Sequence, residues 1–491
     1  MRINLFTIVL LCFAIVLGAV FANMFFNVPN QKLMLMVVGG LVFYPILRYP
    51  IVGLYLFFII SPFIPYFRRL YYLAYRRPTS DPLIIVGDVI LAIMLLGLFY
   101  TFRENRVRDQ DVASFKVAIF GYLGYLLLRV FFHTDLPLAE AMLAFKYYGP
   151  VVICFFIGII YAPQLKHIKA IWLITIGIGI ITALYGIKQL YFGYSVAETL
   201  WFTSISFHSL FINNVARPFS VFQAPAAFAD YLQLAVIGVI ILTGWKKNSI
   251  KPILLVFLPL YCAGILITSV RSSWIGLAVS FMLWFIIGAI NNNRSRIVAI
   301  IVLTVLFMAG NSFVDSLGGS SNTTTPITAV ATAMPNQQNL DMLISDRSAA
   351  IVNPMEEHSF VSRLATWRMI VACTGDPAMA LFGRGLGAFS ADSLYFTYLA
   401  EFGYPGLIFI VVLLIVLIAK AFSLLNTLKD RRLLILCKGI LIMNIIFAVT
   451  GITGSHFNSF PGDAYFWFFN GVLIKLSSID RTLAAESEDL I

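Results

Sequence analysis

Four arginines stand where apolar runs of this chain begin or end. Arg217 lies in NVARPFSVFQ, Arg271 in TSVRSSWIGL, Arg363 in SRLATW and Arg384 in GRGLG. A guanidinium is always charged and presents a planar fork of donors that matches phosphate. Arginines at a membrane boundary therefore point to lipid headgroups or to a lipid-linked diphosphate. Snorkelling to ordinary lipid phosphates is the plain alternative for any one of them. It suits Arg271 least, because that residue is wedged between two apolar runs with no loop. Asp392 directly precedes another apolar run. It is either a general base toward an acceptor hydroxyl or the N-cap of the helix that follows. Glu401, further into that run, orients an arginine or Asp392, or makes a structural hydrogen bond in the bundle. Lys146 adds phosphate affinity or snorkels. Gln223, in the Arg217 segment, is a further substrate contact, and Tyr395 stacks on sugar or sits in the interfacial aromatic belt. Gly383, Gly385 and Gly387 mark a plain turn or a close backbone approach to glycan or diphosphate. His133, His208, His358 and His456 are scattered and share no motif. No Asp/Glu/His group has metal-ligand spacing, so neither metal nor other cofactor is expected.

The elements that position these residues follow from composition. Of 491 residues 60% are hydrophobic, 15% aromatic and 12% charged, with mean hydropathy +0.90. A soluble domain carries about 25% charged residues. The surface of a soluble enzyme, a nucleic-acid binder or a disordered scaffold cannot be built from this chain, so it reads as an all-α polytopic membrane protein. Apolar runs near the ~20 residues that cross a bilayer number about 14. They fall at 4–26, 32–48, 50–67, 83–102, 115–133, 145–162, 171–193, 224–245, 252–270, 272–290, 297–314, 395–422, 433–453 and 459–477. Cysteines are few, four of the five lie in apolar runs, and no CxxC occurs. The first run is too long for a cleaved signal and is directly followed by others, so it reads as an uncleaved helix.

The net charge is +11, and most of the excess obeys the positive-inside rule. With the N-terminus inside, more than half of the 34 Lys and Arg fall in alternate, cytoplasmic segments. One outside segment disobeys: Arg68, Arg69, Arg76 and Arg77 stand together. They have a task on the outer side, or the count of spans slips there. The same alternation places 315–391 outside. Its first half, SLGGSSNTTTPITAVATAMPNQQN, is polar and reads as flexible; its second half, around SRLATWRMIV, has helical spacing with one apolar face. The chain thus divides into spans 1–11 at 1–314, the large external loop at 315–391, spans 12–14 at 392–478, and a cytoplasmic tail at 479–491.

The order of these motifs resembles the bacterial O-antigen ligase and polysaccharide polymerase superfamily. RSSWIGLAVSF is similar to its arginine-bearing helix start. Arg363 through Trp367 is similar to the Arg-x-x-x-Trp helix of its external loop. GRGLGAF then stands for its Gly-rich turn, and DSLYFTYLAEFGYPG for its next helix start. ARPFSVFQAPAAFADYLQLA resembles the stretch before its middle helices, and FRRLYYL, DPLIIVGD and FPGDAYFWFFNG look like segments of exopolysaccharide repeat-unit polymerases. The likeness runs from about 214 to 410. Ligases carry histidine where this chain has Asp392, which favours the polymerase branch. The resemblance implies a glycosyltransferase-C type of helical bundle in the bacterial cytoplasmic membrane, its site facing outward. The implied donor is an undecaprenyl-diphosphate-linked oligosaccharide, transferred without metal. Arg271 and Arg217 would serve the diphosphate, with Arg363, Arg384, Lys146, Gln223, Glu401 and Tyr395 around it, and Asp392 would be the base. Membrane lipids, a separate flippase and a chain-length regulator are the implied partners. A ligase for finished glycan is the sister reading. A lipid-linked glycan transporter is the rival of another class. Its internal repeats and mid-membrane charges are not visible here.

Overall fold

The computed structural model describes residues 43–75, 83, 86–104, 110–132, 137–204, 210–212, 215–245, 251–289, 358–389, 391–454 and 461–488. The spans expected at 4–26 and 297–314, most of that at 32–48, the loop from 315 to 357, Arg76, Arg77, His133, His208 and His456 lie outside the described residues.

The described chain is almost entirely helical. After a helical lead-in at 43–48 come α1 (Pro50–Ile60), α2 (Ile64–Tyr75), α3 (Val86–Glu104), α4 (Gln110–Phe131), α5 (Leu138–Tyr148), α6 (Ile153–Tyr161), α7 (Leu165–Phe192) and α8 (Val196–Ser204). Two-residue strands β1 (Phe211–Ile212) and β2 (Val215–Ala216) pair antiparallel, with Phe211 opposite Ala216. Then follow α9 (Pro225–Gly244), α10 (Lys251–Val256), α11 (Leu258–Ile267), α12 (Arg271–Ala289), α13 (His358–Cys373), α14 (Pro377–Phe382), α15 (Leu394–Thr427), α16 (Arg431–Thr450) and α17 (Gly462–Glu488).

Among the described residues six helical stretches are long and apolar enough to cross a membrane: Pro50–Tyr71, Glu140–Tyr161, Leu165–Phe192, Pro225–Gly244, Leu394–Thr427 and Arg431–Thr450. Val86–Leu98, Pro252–Ile267 and Arg271–Ile287 are apolar but shorter. Proline explains several boundaries. Pro50 and Pro225 occupy first helical positions, where the missing N–H would have no partner anyway. Pro62 sits in the 3-10 turn Ser61–Phe63 between α1 and α2. The expected run at 145–162 is likewise divided, at the 3-10 turn Pro150–Val152.

Burial sorts the helices. In α9 and α16 78% of the span is buried, against 33% in α15, so α9 and α16 are central and α15 faces outward over much of its length. The tightest crossing joins α6 to α17. A Cβ on Gly158 would lie 2.2 Å from the carbonyl oxygen of Phe468, and one on Gly471 2.1 Å from that of Phe155. Glycines here let two backbones touch, the usual device where lipid offers no hydrophobic drive for helix association. Polar pairs reinforce the interior. The buried amides of Asn444 (α16) and Asn470 (α17) exchange hydrogen bonds of 2.8 and 2.9 Å.

Helix ends that the charge rule assigns outside meet at one end of the bundle. The start of α15 meets the end of α16, where Leu394 N donates to the carbonyls of Gly451 and Gly454 at 2.8 and 3.0 Å. The start of α12 meets the first half of α9, where Gln233 Nε2 donates to Ser273 O at 2.6 Å and Ser273 Oγ to Asp230 Oδ1 at 3.4 Å. A Cβ on Gly276 would meet both Gln233 and Thr450, which joins α9, α12 and α16 at this end. At the opposite end Asp480 of α17 accepts from the backbone N–H groups of Lys429 and Asp430 at 3.0 and 2.8 Å.

Candidate functional site

Arg217 follows β2, and its backbone N–H bonds to Leu210 O at 2.9 Å. Its half-buried side chain reaches the turn before α12, where Nη1 donates to Ser269 O at 3.5 Å, a long bond. Two residues on, the half-buried Arg271 opens α12. The two arginines expected to share a diphosphate are thus carried by segments in contact. Both segments are strained. Ser220 and Ser269, each at φ 54°, are the non-glycine residues with positive φ among the described residues. Left-handed backbone at such residues costs about 1–3 kcal/mol and persists where the surroundings over-determine it.

For Ser220 those surroundings are explicit. Gln189, near the end of α7, accepts through Oε1 from the N–H groups of Phe219 (3.1 Å) and Ser220 (2.6 Å), and its Nε2 donates to Ser220 O at 3.1 Å. Ser220 Oγ donates to Thr182 O at 2.6 Å. Arg69 of α2, 1% exposed, donates from Nη1 to Phe222 O at 2.7 Å and from Nη2 to Ser220 O at 3.1 Å. Its guanidinium lies over the rings of Phe219, Trp201 and Tyr66, 4.9 to 5.6 Å from their centroids. Glu198, fully buried, accepts from Gln189 Nε2 at 2.6 Å, Tyr185 OH at 3.2 Å and Ser195 N at 2.7 Å. With Ser195 Oγ accepting from Glu198 N at 3.4 Å, it forms a capping box at the start of α8.

Asp392 is 69% exposed at the mouth of α15, and its Oδ2 accepts from Arg363 Nε at 3.2 Å. The cap of α15 is not Asp392 but Ser393, whose Oγ accepts from Phe396 N at 3.5 Å. One residue of extended backbone turns Ser393 inward and leaves the Asp392 carboxylate outward. Trp367, one helical turn beyond Arg363, stacks on Phe396 with centroids 4.7 Å apart. Residues four apart share a helix face, so the Arg-x-x-x-Trp spacing docks α13 onto the start of α15 through both side chains.

The glycine turn is also docked there. Gly403 (φ 69°) kinks α15, and Pro405 lacks the N–H that would bond Glu401 O. The carbonyls so released are taken up by neighbours: Ala400 O by Arg384 N at 2.7 Å, Glu401 O by Gly385 N at 3.1 Å, and Phe402 O by Tyr125 OH at 2.7 Å. A Cβ on Gly383 would lie 2.6 Å from Glu401 C and Phe402 N. At Gly383 the turn makes a close backbone approach, to α15. Glu401, 3% exposed, accepts from Tyr148 OH at 2.7 Å and from Gly387 N at 3.1 Å. It orients the glycine turn in place of an arginine or Asp392. Arg384 donates from Nη2 to Cys373 Sγ at 3.4 Å and lines a small cleft with Ile370, Cys373, Phe389 and Ala400.

The remaining expected residues are placed as follows. Lys146 pairs with Asp88 at 2.8 Å. Tyr395 OH donates to Ala448 O at 2.7 Å, which pins α15 to α16. Gln223 is exposed beside the Arg217 segment. Sequence reasoning passed over Gln189, Glu198, Asp230 and Gln233, and weighed Arg69 only as a contact for glycan or headgroups. For Gln189, Asp230 and Gln233 the available signal was a polar residue inside an apolar run, since such residues are costly at membrane depth; Glu198 lies between runs and carried no such signal. Among the described residues no three His, Cys, Asp or Glu side chains gather as a metal site would need.

No protein-family model matches the chain, and no curated protein matches it.

Proposed function

We propose that the chain is a membrane glycosyltransferase that polymerises lipid-diphosphate-linked oligosaccharide repeats at the outer leaflet of a bacterial cytoplasmic membrane. The observation that carries this reading is the meeting of Arg217 with the Ser269 turn that opens at Arg271. Two guanidinium-bearing segments held at one end of the bundle are what a diphosphate leaving group requires. The ordered likeness of residues 214–410 to the polymerase branch supports it as well.

In this reading an acceptor hydroxyl oxygen attacks the anomeric carbon of the donor. The bond from that carbon to the diphosphate oxygen breaks, and polyprenyl diphosphate leaves. Arg217 and Arg271 stabilise the charge developing on it; because they are already fixed, they reorganise little as the bond breaks. The hydroxyl proton passes to the exposed carboxylate of Asp392, which Arg363 holds by one hydrogen bond.

The test is a strain lacking the gene, from which polyprenyl-linked glycans are extracted, sized and assigned to a leaflet. Single repeats on the outer leaflet are expected. Long lipid-linked chains there would replace this reading with a ligase. Single repeats held on the inner leaflet would replace it with a transporter.

A further inference from the structure

We propose that Gln189 and Arg69 are positioning residues that act through Arg217: they hold the strained 219–222 backbone so that the Arg217 guanidinium meets the Ser269 turn. The proposal rests on the transferase reading above for its consequence in catalysis, but not for its geometry.

Four backbone groups of a four-residue stretch are read by these two side chains. Gln189 takes the N–H groups of Phe219 and Ser220 and shares the Ser220 carbonyl with Arg69, which also takes the Phe222 carbonyl. Neither side chain is exposed beyond 1%. Residues 218–223 belong to no helix or strand; beyond the Arg217 N–H bond to Leu210 O and the turn bond from Phe222 N to Phe219 O, these two side chains define the path of the stretch. The amide of Gln189 is itself oriented, since Nε2 donates to Glu198 Oε1 at 2.6 Å. Glu198 is also the carboxylate that acts electrostatically on Arg69. An amide carries both a donor and an acceptor, and a guanidinium can donate to two carbonyls at once. A carboxylate can do neither task, and a lysine ammonium donates from a single point, without the planar fork that spans the two carbonyls.

The segment is gripped at one side of Arg217, at 219–222, and by Tyr194 OH on Ala216 O at 3.0 Å at the other. Arg217 is thereby fixed before any substrate arrives. A group that stabilises charge only as the leaving group departs contributes to turnover more than to substrate binding. Loosening its support should therefore lower kcat with little change in KM. A support that only holds the fold together would lower the amount of folded protein and leave the turnover of what remains.

The experiment uses full-length protein in lipid nanodiscs with its polyprenyl-diphosphate-linked repeat unit. Gln189→Met and Arg69→Lys are each made alone and combined with Arg217→Ala. Each single variant is expected to lower kcat about 10- to 100-fold, the scale of a displaced catalytic group, with KM changed less than about threefold. In the Arg217→Ala background neither should lower it further, the non-additivity of residues acting through one another. Equal losses in both backgrounds, or unchanged turnover in the single variants, would overturn the proposal. A second readout needs no reaction. Arg217→Cys is labelled with a charged maleimide, quantified at position 217 by mass spectrometry, with and without Gln189→Met. Faster labelling with Gln189→Met is expected, and equal labelling would overturn the positioning even if the protein transferred no glycan. A wild-type protein inactive in transfer, with the labelling difference present, would sink the transferase reading and leave the positioning standing.

Discussion

Arg217 and Arg271 reach the same end of the bundle from segments on either side of α9 through α11, and neither is replaceable by a point charge if both must grip a diphosphate. Arg271→Ala should abolish polymer at normal protein level, and Arg271→Lys should restore little of it because the fork is lost; glycan gels and immunoblots of membranes read both. Full polymer from the alanine variant would remove Arg271 from the chemistry. For Asp392 the exposed pair with Arg363 adds only about 0–1 kcal/mol to stability, and the cap belongs to Ser393. Asp392→Asn should then leave thermal stability unchanged and cripple turnover. Near-normal turnover would exclude the base. Asp392 and Ser393 also mark where sequence reading stops. Aspartate and serine are equally good caps, and a shift of one residue in the helix start decides which points inward. Nothing in residue type records that choice. The spacing of Arg363 and Trp367, in contrast, was legible because a helix fixes which residues share a face.

At the scale of the element, the kink in α15 does what a continuous helix cannot. It releases the carbonyls of residues 400–402 to neighbours outside the helix. Gly383→Ala should be severe, since its Cβ would strike the α15 backbone and φ is 63°; Gly124→Ala, with nothing within 4 Å, should be neutral. Glu401→Ala leaves Tyr148 OH and Gly387 N without an acceptor and should cost about 1–3 kcal/mol per group, read as a lowered Tm of the solubilised protein. The loop before α16 offers a pH test. Asp430 caps α16 through Arg432 N (2.7 Å) and Leu433 N (3.3 Å), and its bonds to Arg432 hold its carboxyl below the usual range. A depressed carboxyl stabilises the fold above its unfolded pKa and loses that effect as pH falls through the folded one. Asp430→Ala should therefore lower stability by about 1 kcal/mol at pH 7, with the gap closing as pH falls below the usual carboxylate range. Helix positions were largely legible: runs at 224–245, 272–290 and 433–453 became Pro225–Gly244, Arg271–Ala289 and Arg431–Thr450. Where they differ, polarity is the reason. The run at 171–193 missed the first turns of α7 because Lys166, His167 and Lys169 are helical but not apolar.

For the whole molecule, the charge pattern sorted helix ends that the structure joins by hydrogen bonds. It misjudged what one arginine does. A sign rule sees Arg69 as surface charge, whereas the guanidinium turns inward under three aromatic rings. Gln189 left only a faint signal for a related reason: one polar residue within the run at 171–193 leaves the hydropathy of the span intact. Glu198 lies between the runs at 171–193 and 224–245, and only folding brings the two together. The number of spans rests on composition beyond the six long apolar helices described, and hydropathy alone cannot say which short run is a span and which a broken half, as α10 and α11 illustrate.

The bond from Leu394 N to Gly451 and Gly454 also sets an order in time. A ribosome delivers the Arg217 segment before α9 and the Arg271 start of α12 first, the Arg363 helix next, and the start of α15 after that. That start has no finished seat until α16 has threaded back across the bilayer. On the transferase reading, a nascent chain would therefore carry Arg217 and Arg271 long before they faced a completed acceptor side. Arrested chains ending between α15 and α16 should insert, and should be inert toward lipid-linked sugars passing in the same leaflet.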